Sequence, residues 1–194
     1  MNLDKIEYGL KAITVFPISE GAKGVLTYGD PVKLPGAQSL TTDAQTNEAK
    51  IYADDSVYFA TYTESGYTGS IGFVSKTDII GQTLFGDRKT SGGGLVEVVN
   101  ATPKRFGVAF QTAGDAKNAR HVLYNVTFSR GSTEHKTTEE GVEAATYSVD
   151  FTAIPMELTD GTMVTKGRFE EGATEYETVM TKLTLPTLAA DAAK

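Results

Sequence analysis

Alternation of apolar and polar side chains is the feature that most constrains what this chain can fold into. Over residues 122–128 the even positions are all apolar, namely Val122, Tyr124, Val126 and Phe128. Over residues 146–152 the odd positions are the apolar ones, namely Tyr147, Val149 and Phe151. Side chains two residues apart lie on the same face of a strand. Both patterns therefore predict strands with one buried face and one wetter face.

A polar segment separates these two strands. It runs from Gly131 to Gly141 and is longer than a tight turn needs. We predict a long antiparallel hairpin from His121 to Phe151 with a mobile tip at Gly131–Gly141, because long loops within a domain are commonly functional or disordered.

Similar patterns recur along the whole chain. Further strand candidates are residues 8–17, 37–42, 48–53, 57–61, 67–74, 95–100, 106–110 and 162–168. Twenty glycines and abundant Thr, Val, Tyr and Phe favour strands and turns over helices. The predicted fold is mostly β, a sandwich or barrel of two packed antiparallel sheets with one or two short helices. Without a repeat or a break in composition, we predict a single domain over residues 1–186 and a flexible C-terminal tail over residues 187–194.

The first helix candidate covers residues 76–85. Ser75 and Asp78 have the spacing of a capping box at its start, and Gly86 can end it. The side chains expected on its buried face are Ile79, Ile80 and Leu84.

The second helix candidate covers residues 175–183. Thr174 and Glu177 form another capping box, and Pro186 stops the helix. Its apolar face has helical spacing and consists of Tyr176, Val179, Met180 and Leu183.

Composition excludes several classes of protein. The formal net charge is −7, whereas a protein that grips nucleic-acid phosphates is normally basic. The chain has no cysteine, so disulfides and thiolate chemistry are excluded. The first residues lack the basic and apolar regions of a secretory signal, and no stretch approaches the ~18 apolar residues that span a membrane. Aromatic residues are not interleaved with Lys and Arg, so no stacking platform for nucleic acid is indicated.

No motif predicts a catalytic site. The sequence has neither a phosphate-binding loop nor a nucleophile elbow. Gly92-Gly93-Gly94 leads into strand-like residues, whereas a dinucleotide-binding loop leads into a helix, so we predict a hairpin loop there. No serine has surroundings that would activate it. We therefore predict no catalytic, cofactor-binding or metal-binding residues and expect that the protein is not an enzyme.

One of the two histidines lies among carboxylates and could be taken for part of a metal site. His135 lies near Glu134, Glu139 and Glu140, but that spacing converges only on a helix and the segment is predicted to be a solvated loop. The other histidine, His121, is predicted on the wetter face of its strand.

Acidic pairs elsewhere are also explained by turns. Asp54-Asp55 could form half of a calcium site, but Asp between two strands more often bonds its own backbone in a turn. Glu170-Glu171-Gly172 is predicted to be a charged turn as well.

Six short motifs occur in a specific order along the chain. They are residues 28–40 (YGDPVKLPGAQSL), 51–55 (IYADD), 65–71 (SGYTGSI), 77–81 (TDIIG), 103–110 (PKRFGVAF) and 147–155 (YSVDFTAIP). In this order and spacing the chain resembles the major tail protein family of long-tailed, non-contractile phages, over roughly residues 3–185. Some family members carry an extra immunoglobulin-like domain at the C-terminus, and from the length of this sequence we expect none here.

The resemblance implies a fold and a function. Such subunits are similar in fold to the type VI secretion tube protein, with two packed β-sheets and a flanking helix. Six subunits form a ring, and each contributes strands to a continuous inner β-barrel. Rings stack into the tail tube of the virion, which is assembled in the host cytoplasm and conducts DNA during ejection. The implied partners are further copies of the chain, a tape-measure protein in the bore, and tail terminator or initiator proteins.

The resemblance also suggests roles for parts of this chain. The segments Ala37–Ala53 and His121–Phe151, taken as hairpins, are the candidates for strands that line the lumen or join subunits. The loop Gly131–Gly141 and the tail after Leu185 are candidates for contacts between rings, so deletion of residues 132–140 should leave a folded monomer that does not polymerise. Six copies carry 6 × −7 = −42 formal charges, and an acidic bore would let DNA pass without binding.

One rival hypothesis is a soluble β-sandwich that binds a carbohydrate or another ligand. Tyr58, Tyr62 and Tyr67 would supply aromatic side chains on its concave face. A hydrolase that uses Asp54 or Asp55 is a third hypothesis.

Overall fold

The computed structural model describes residues 9–21, 26–53, 56–99, 102–112, 118–133 and 146–188. Within them the chain forms thirteen strands: β1 (Leu10–Glu20), β2 (Leu26–Tyr28), β3 (Val32–Leu34), β4 (Ala37–Ala53), β5 (Ser56–Phe73), β6 (Arg88–Lys89), β7 (Leu95–Val96), β8 (Arg105–Thr112), β9 (Arg120–Thr133), β10 (Tyr147–Ala153), β11 (Met156–Glu157), β12 (Met163–Val164) and β13 (Lys166–Phe169). A single helical turn, α1 (Asp78–Ile80), continues into a π-helical turn over Gly81–Phe85.

Nine strands form one antiparallel sheet. Their order is β2-β1-β8-β9-β10-β5-β4, with β3 also paired to β1 and β13 also paired to β9. Two separate two-stranded ribbons, β6–β7 and β11–β12, lie outside this sheet. The strand β4 ends the order, and no described strand pairs with its outer edge.

The main core lies between the two halves of this sheet. Side chains from β1, β8 and β9 pack in one cluster with side chains from β5 and β10; its members include Ile13, Val15, Val108, Phe110, Ile71, Phe73, Val149 and Phe151. The sheet must therefore curl so that its ends face each other. The predicted mostly β fold is confirmed, and its two layers belong to one continuous sheet.

A second, smaller core forms on the other side of β8 and β9. There Val179 and Leu183 cover a cluster that includes Phe16, Val122 and Tyr124. The predicted buried face of residues 175–183 is thus confirmed for Tyr176, Val179 and Leu183, while Met180 is partly buried.

The predicted helix over residues 175–183 is wrong, because this segment is a series of turns. The backbone N–H of Val179 still donates to Glu175 O at 3.0 Å. However, the hydroxyls of Thr178 and Thr181 also bond to carbonyls three residues earlier. Threonine side chains that bond nearby carbonyls compete with regular helix formation.

The first predicted helix is also shorter than the sequence indicates. It begins after Thr77, whose side chain makes no capping bond, so the capping box at Ser75 is not formed. Gly86 ends the helical segment in a left-handed conformation, as predicted. Ile80 is buried, whereas Ile79 is 47% exposed. At 3.6 residues per turn Ile79 points about 100° away from Ile80, outside the narrow face that meets the sheet.

Strand β9 is buried on both faces over its first half, which corrects the predicted wetter face. Phe106 pairs with Val126 but Val108 pairs with Leu123. A step of two residues along β8 therefore corresponds to a step of three residues along β9, which is a β-bulge. This bulge reverses the alternation, and the second core covers the side that the pattern left for solvent. His121 is consequently buried. Its ring stacks on the ring of Phe110, with 5.1 Å between the two ring centroids.

Strands β4 and β5 each join two strands that the sequence predicts separately: residues 37–42 and 48–53 in β4, and residues 57–61 and 67–74 in β5. The segment Ala37–Ala53 is one unbroken strand and not a hairpin; its hairpin partner is β5, which pairs with it along its whole length. The hairpin of β9 and β10 is confirmed, but Gly131–Thr133 belong to β9 and not to the loop. The rest of the predicted tip, like residues 189–194 of the tail, lies outside the described residues.

Strand boundaries differ elsewhere too. The strand predicted over residues 95–100 is only the two-residue β7, and that over residues 162–168 is divided between β12 and β13. Gly92–Gly94 form the turn of the β6–β7 ribbon, where Thr90 N donates to Gly94 O at 2.7 Å. This confirms the predicted hairpin loop.

Candidate assembly surfaces

A two-stranded arm extends beyond the sheet. Strand β10 pairs with β5 only from Phe73 to Tyr67, whereas β4 pairs with β5 out to Ser56. Residues 45–53 and 56–66 therefore continue without a third strand, and we call them the arm. At about 3.3 Å per residue the arm reaches roughly 30 Å from the sheet.

Large apolar side chains are exposed along this arm. The exposed fractions are 59% for Ile51, 80% for Tyr58, 53% for Phe59 and 68% for Tyr62. An isolated two-stranded hairpin is marginally stable in water, and clustered exposed apolar side chains commonly mark interaction sites. The arm therefore has the properties of a segment that needs a partner.

The two faces of the arm differ: the polar side chains of one face bond to each other, whereas the apolar side chains of the other face remain exposed. On one face Glu48 lies opposite Tyr62, accepts a hydrogen bond from its hydroxyl at 2.8 Å and pairs with Lys50 at 2.8 Å. The Lys50 ammonium, followed by the Tyr62 hydroxyl, lowers the pKa of the Glu48 carboxyl. On the other face Ile51 lies opposite Phe59, and the two remain more than half exposed.

The root of the arm is tightly built. Gln45 pairs with Gly66 and Thr46 with Glu64, which leaves Ser65 as an extra residue in β5. Gly66 has a φ of +130°, and a Cβ there would lie 2.2 Å from the carbonyl oxygen of Ala153. Only glycine lets the backbone of β5 pass this close to β10, so the root of the arm requires glycine at this position.

The outward face of the sheet next to the arm is polar. In the register of β4, β5, β10 and β9, hydroxyl and carboxylate side chains lie together on one side of the sheet, and we call this side the hydroxyl face. Its residues are Ser39, Thr41, Asp43, Thr68, Ser70, Ser148, Asp150, Thr152, Thr127 and Ser129. None of these positions is Lys or Arg, and Asp43 and Asp150 give the face a negative charge.

A groove with cationic walls opens beside the start of β8. It encloses about 770 Å³. Its cations are Arg88, Lys104 and Arg105, and none of its described lining residues is acidic. Pro17, Ile18, Val98 and Pro103 give it apolar walls. We call it the basic groove. It adjoins a hollow of about 410 Å³ that reaches Phe128 and Arg130 on β9.

An ion pair fixes the segment that forms one wall of this groove. Arg130 donates to Asp87 at 2.5 and 3.2 Å, and Val98 N donates to the same carboxylate at 3.3 Å. Arg130 hydrogen bonding holds the pKa of the Asp87 carboxyl below its usual value. Sequence patterns missed this pair, since the two residues are 43 positions apart and neither lies in a motif.

The residues considered for chemistry are not brought together in the described part of the chain. There, no group of three or more His, Asp or Glu side chains could hold a metal ion. His121 is buried in the core, while Asp54, Asp55 and the loop with His135 lie outside the described residues.

The three tyrosines of the rival ligand-binding hypothesis are also separated. Tyr58 and Tyr62 lie on the arm, whereas Tyr67 is partly buried against the main core with Lys166 5.6 Å from its ring centroid. No helix among the described residues is long and apolar enough to cross a membrane.

Comparison with protein-family models and with curated proteins returns no match for this chain.

Proposed function

We propose that this chain is a structural virion protein, a tail-tube subunit that assembles with copies of itself into stacked hexameric rings through which phage DNA is ejected. The proposal combines the motif order of the sequence with three surfaces of the fold. The arm carries most of the weight, because four large apolar side chains stand exposed on two strands that have no third strand to support them.

The outer edge of β4 supports the same conclusion. An edge strand of 17 residues presents a long row of backbone groups to any partner strand. Pairing between the edges of neighbouring subunits would satisfy them and close the sheets into a ring without a free edge. In a monomeric protein an edge of this length is an aggregation hazard, so its presence favours an assembly that uses it.

The hydroxyl face is suited to the bore of such a tube. Hydroxyl side chains keep a surface wet without offering cations to phosphates, and Asp43 and Asp150 repel DNA. This face lies on β4, β5, β9 and β10, so it includes both segments for which the resemblance suggested a role in the lumen.

Assembly tests the proposal directly. Size-exclusion chromatography and negative-stain electron microscopy of the purified chain over a range of concentrations should show rings or tubes. Replacement of the exposed pair on the arm, Ile51→Ser with Phe59→Ser, should abolish them while leaving the circular dichroism spectrum unchanged. The control Val74→Ser with Met163→Ser removes two exposed apolar side chains away from the arm and should assemble normally.

The outcome that contradicts the proposal is a wild-type chain that stays monomeric at every concentration. If such a monomer bound oligosaccharides, and Tyr58→Ala with Tyr62→Ala abolished that binding, the ligand-binding hypothesis would replace the tube.

A further inference from the structure

We propose that the arm of one copy docks into the basic groove of the next copy, so that the subunits join head to tail. This rests on the proposed self-assembly and specifies its contact: an acidic, aromatic-bearing β-hairpin as the ligand and a cationic groove as its receptor.

The arm and the groove start at neighbouring levels of β9, Val126 and Thr127, and extend from there in opposite directions along the sheet. From Phe73 back to Tyr67, β5 runs beside β10. It points in the same direction as β9 does when β9 is followed from Thr133 back to Arg120. The arm continues in that direction. The groove lies the other way, since it is lined by Lys104 and Arg105, and Arg105 pairs with Thr127 at the far end of β8. The adjoining hollow extends farther along β9 to Arg130.

Opposite placement has a consequence for assembly. Two different patches on one chain make a heterologous contact, which repeats from copy to copy and builds a ring or a filament. A single copy cannot easily satisfy its own groove, because its arm points away from it. Docking therefore requires a second copy.

The charges of the two surfaces are opposite. Between Gln45 and Gly66 the sequence carries Glu48, Asp54, Asp55 and Glu64 against one cation, Lys50, for a net charge of −3. The groove carries three cations and no acid among its described lining residues. Arg105 already faces Glu20 at 3.4 Å, whereas Arg88 forms no ion pair with any described residue.

The apolar groups are complementary as well. The arm offers Ile51 and Phe59 on one face, and the groove walls include Ile18, Val98 and Pro103. Burying these side chains on docking would supply the favourable term that the isolated arm lacks. The charges would then select the partner and its orientation. This combination favours a protein hairpin over a nucleic acid, which would need aromatic or phosphate-spanning contacts along the groove.

A charge-exchange experiment tests the contact. The groove variant carries Arg88→Glu with Lys104→Glu, and the arm variant carries Asp54→Lys with Asp55→Lys. Each alone gives the arm and the groove charges of the same sign and should raise the concentration needed for assembly by at least ~10-fold. Mixed in equal amounts they should assemble as alternating copies, and one chain with all four substitutions should assemble alone. The control Lys11→Glu with Lys182→Glu reverses two exposed cations elsewhere and should leave assembly unchanged.

The results separate this contact from the proposed function. Wild-type assembly together with single variants that assemble normally would overturn the docking contact and leave the tube intact. The same conclusion follows if both single variants fail and neither their mixture nor the fourfold variant recovers. Binding of a 20-nucleotide single-stranded DNA to the wild-type monomer, lost in the groove variant, would overturn it in favour of a nucleic-acid site. A wild-type chain that never assembles would overturn both.

Discussion

The carboxylate of Asp87 is fully buried and lies 2.5 Å from a guanidinium nitrogen of Arg130. Asp87 follows the π-helical turn, and Arg130 lies on β9, so the pair ties the segment from α1 to β7 onto the main sheet. The guanidinium also stacks over the ring of Phe85, 4.5 Å from its centroid. Arg130 also lies 3.4 Å from the Glu97 carboxylate, so its ion pairs tie a wall of the basic groove to the main sheet.

Removal of the Arg130 charge should destabilise the protein strongly. In Arg130→Met the carboxylate of Asp87 would remain buried without its partner, and we expect the free energy of unfolding to fall by about 3 kcal/mol. Urea denaturation of the monomer at neutral pH measures this. Lys89→Met is the matched control, because it breaks the exposed pair of Lys89 and Asp78 in the same segment and should cost under about 1 kcal/mol. Equal losses in the two variants would contradict a special role for Asp87.

The same pair should make stability depend on acid pH. Arg130 lowers the folded-state pKa of the Asp87 carboxyl below its usual value of 3.8. A lowered pKa gives stability that is present above the unfolded value and lost as pH falls through the folded value. We expect the urea midpoint of the wild type to decline below pH ~4 more steeply than that of Asp87→Asn. Parallel curves would show that this carboxyl does not contribute.

Gly66 at the root of the arm should tolerate no side chain. With a φ of +130° and the carbonyl of Ala153 only 2.2 Å from the added Cβ, Gly66→Ala should cost about 3 kcal/mol of unfolding free energy. Gly36 also has a positive φ, +81°, but nothing lies within 4 Å of its Cβ position. Gly36→Ala should thus cost only about 1 kcal/mol. Chemical denaturation distinguishes the two, and a Gly66→Ala variant as stable as Gly36→Ala would contradict the close approach of β5 to β10.

The two adjacent isoleucines of the helical segment should respond differently to truncation. Ile80 is fully buried in the main core, so Ile80→Ala should cost about 2–5 kcal/mol. Ile79 is 47% exposed, and Ile79→Ala should change stability by less than about 1 kcal/mol. Comparable losses at both positions would favour the longer helix that the sequence pattern predicts.

The hydroxyl face can be tested through its two carboxylates. If it lines the bore, assembled tubes of the variant Asp43→Lys with Asp150→Lys should retain short DNA, and the retention should weaken as salt is added. Wild-type tubes and Asp43→Asn with Asp150→Asn tubes should retain little. Co-sedimentation of labelled DNA with pelleted tubes provides the measurement. Lysine tubes that release DNA as readily as the wild type would show that this face lies elsewhere.

Local patterns predicted the strands well where one face is buried and the other is wet. Tyr147, Val149 and Phe151 alternate with exposed or half-exposed neighbours, and β10 pairs antiparallel with β9 as predicted. The pattern failed on β9, where His121 is buried. The first half of β9 is covered by the second core, and a bulge opposite β8 reverses its alternation. Both effects depend on residues that are distant in the sequence.

Helical periodicity correctly indicated which side chains are buried around Val179 and Leu183, but not the backbone conformation. Burial follows from hydrophobic spacing that many compact turns share with a helix. Whether the turns join into a helix depends on bonds such as that of Thr178 to its own backbone. Side-chain competition of this kind is not visible in the spacing of apolar residues.

The sequence by itself determined that this is a β-rich, acidic chain without cysteine, because alternation, composition and charge are local or summed properties. It could not determine that Ala37–Ala53 is one long edge strand, that its outer half projects as an arm, or that Arg88 and Lys104 share a groove. Those features depend on which strand pairs with which and where the pairing stops. Only the tertiary structure decides this, since β10 ends at Ala153 and leaves the arm without a third strand.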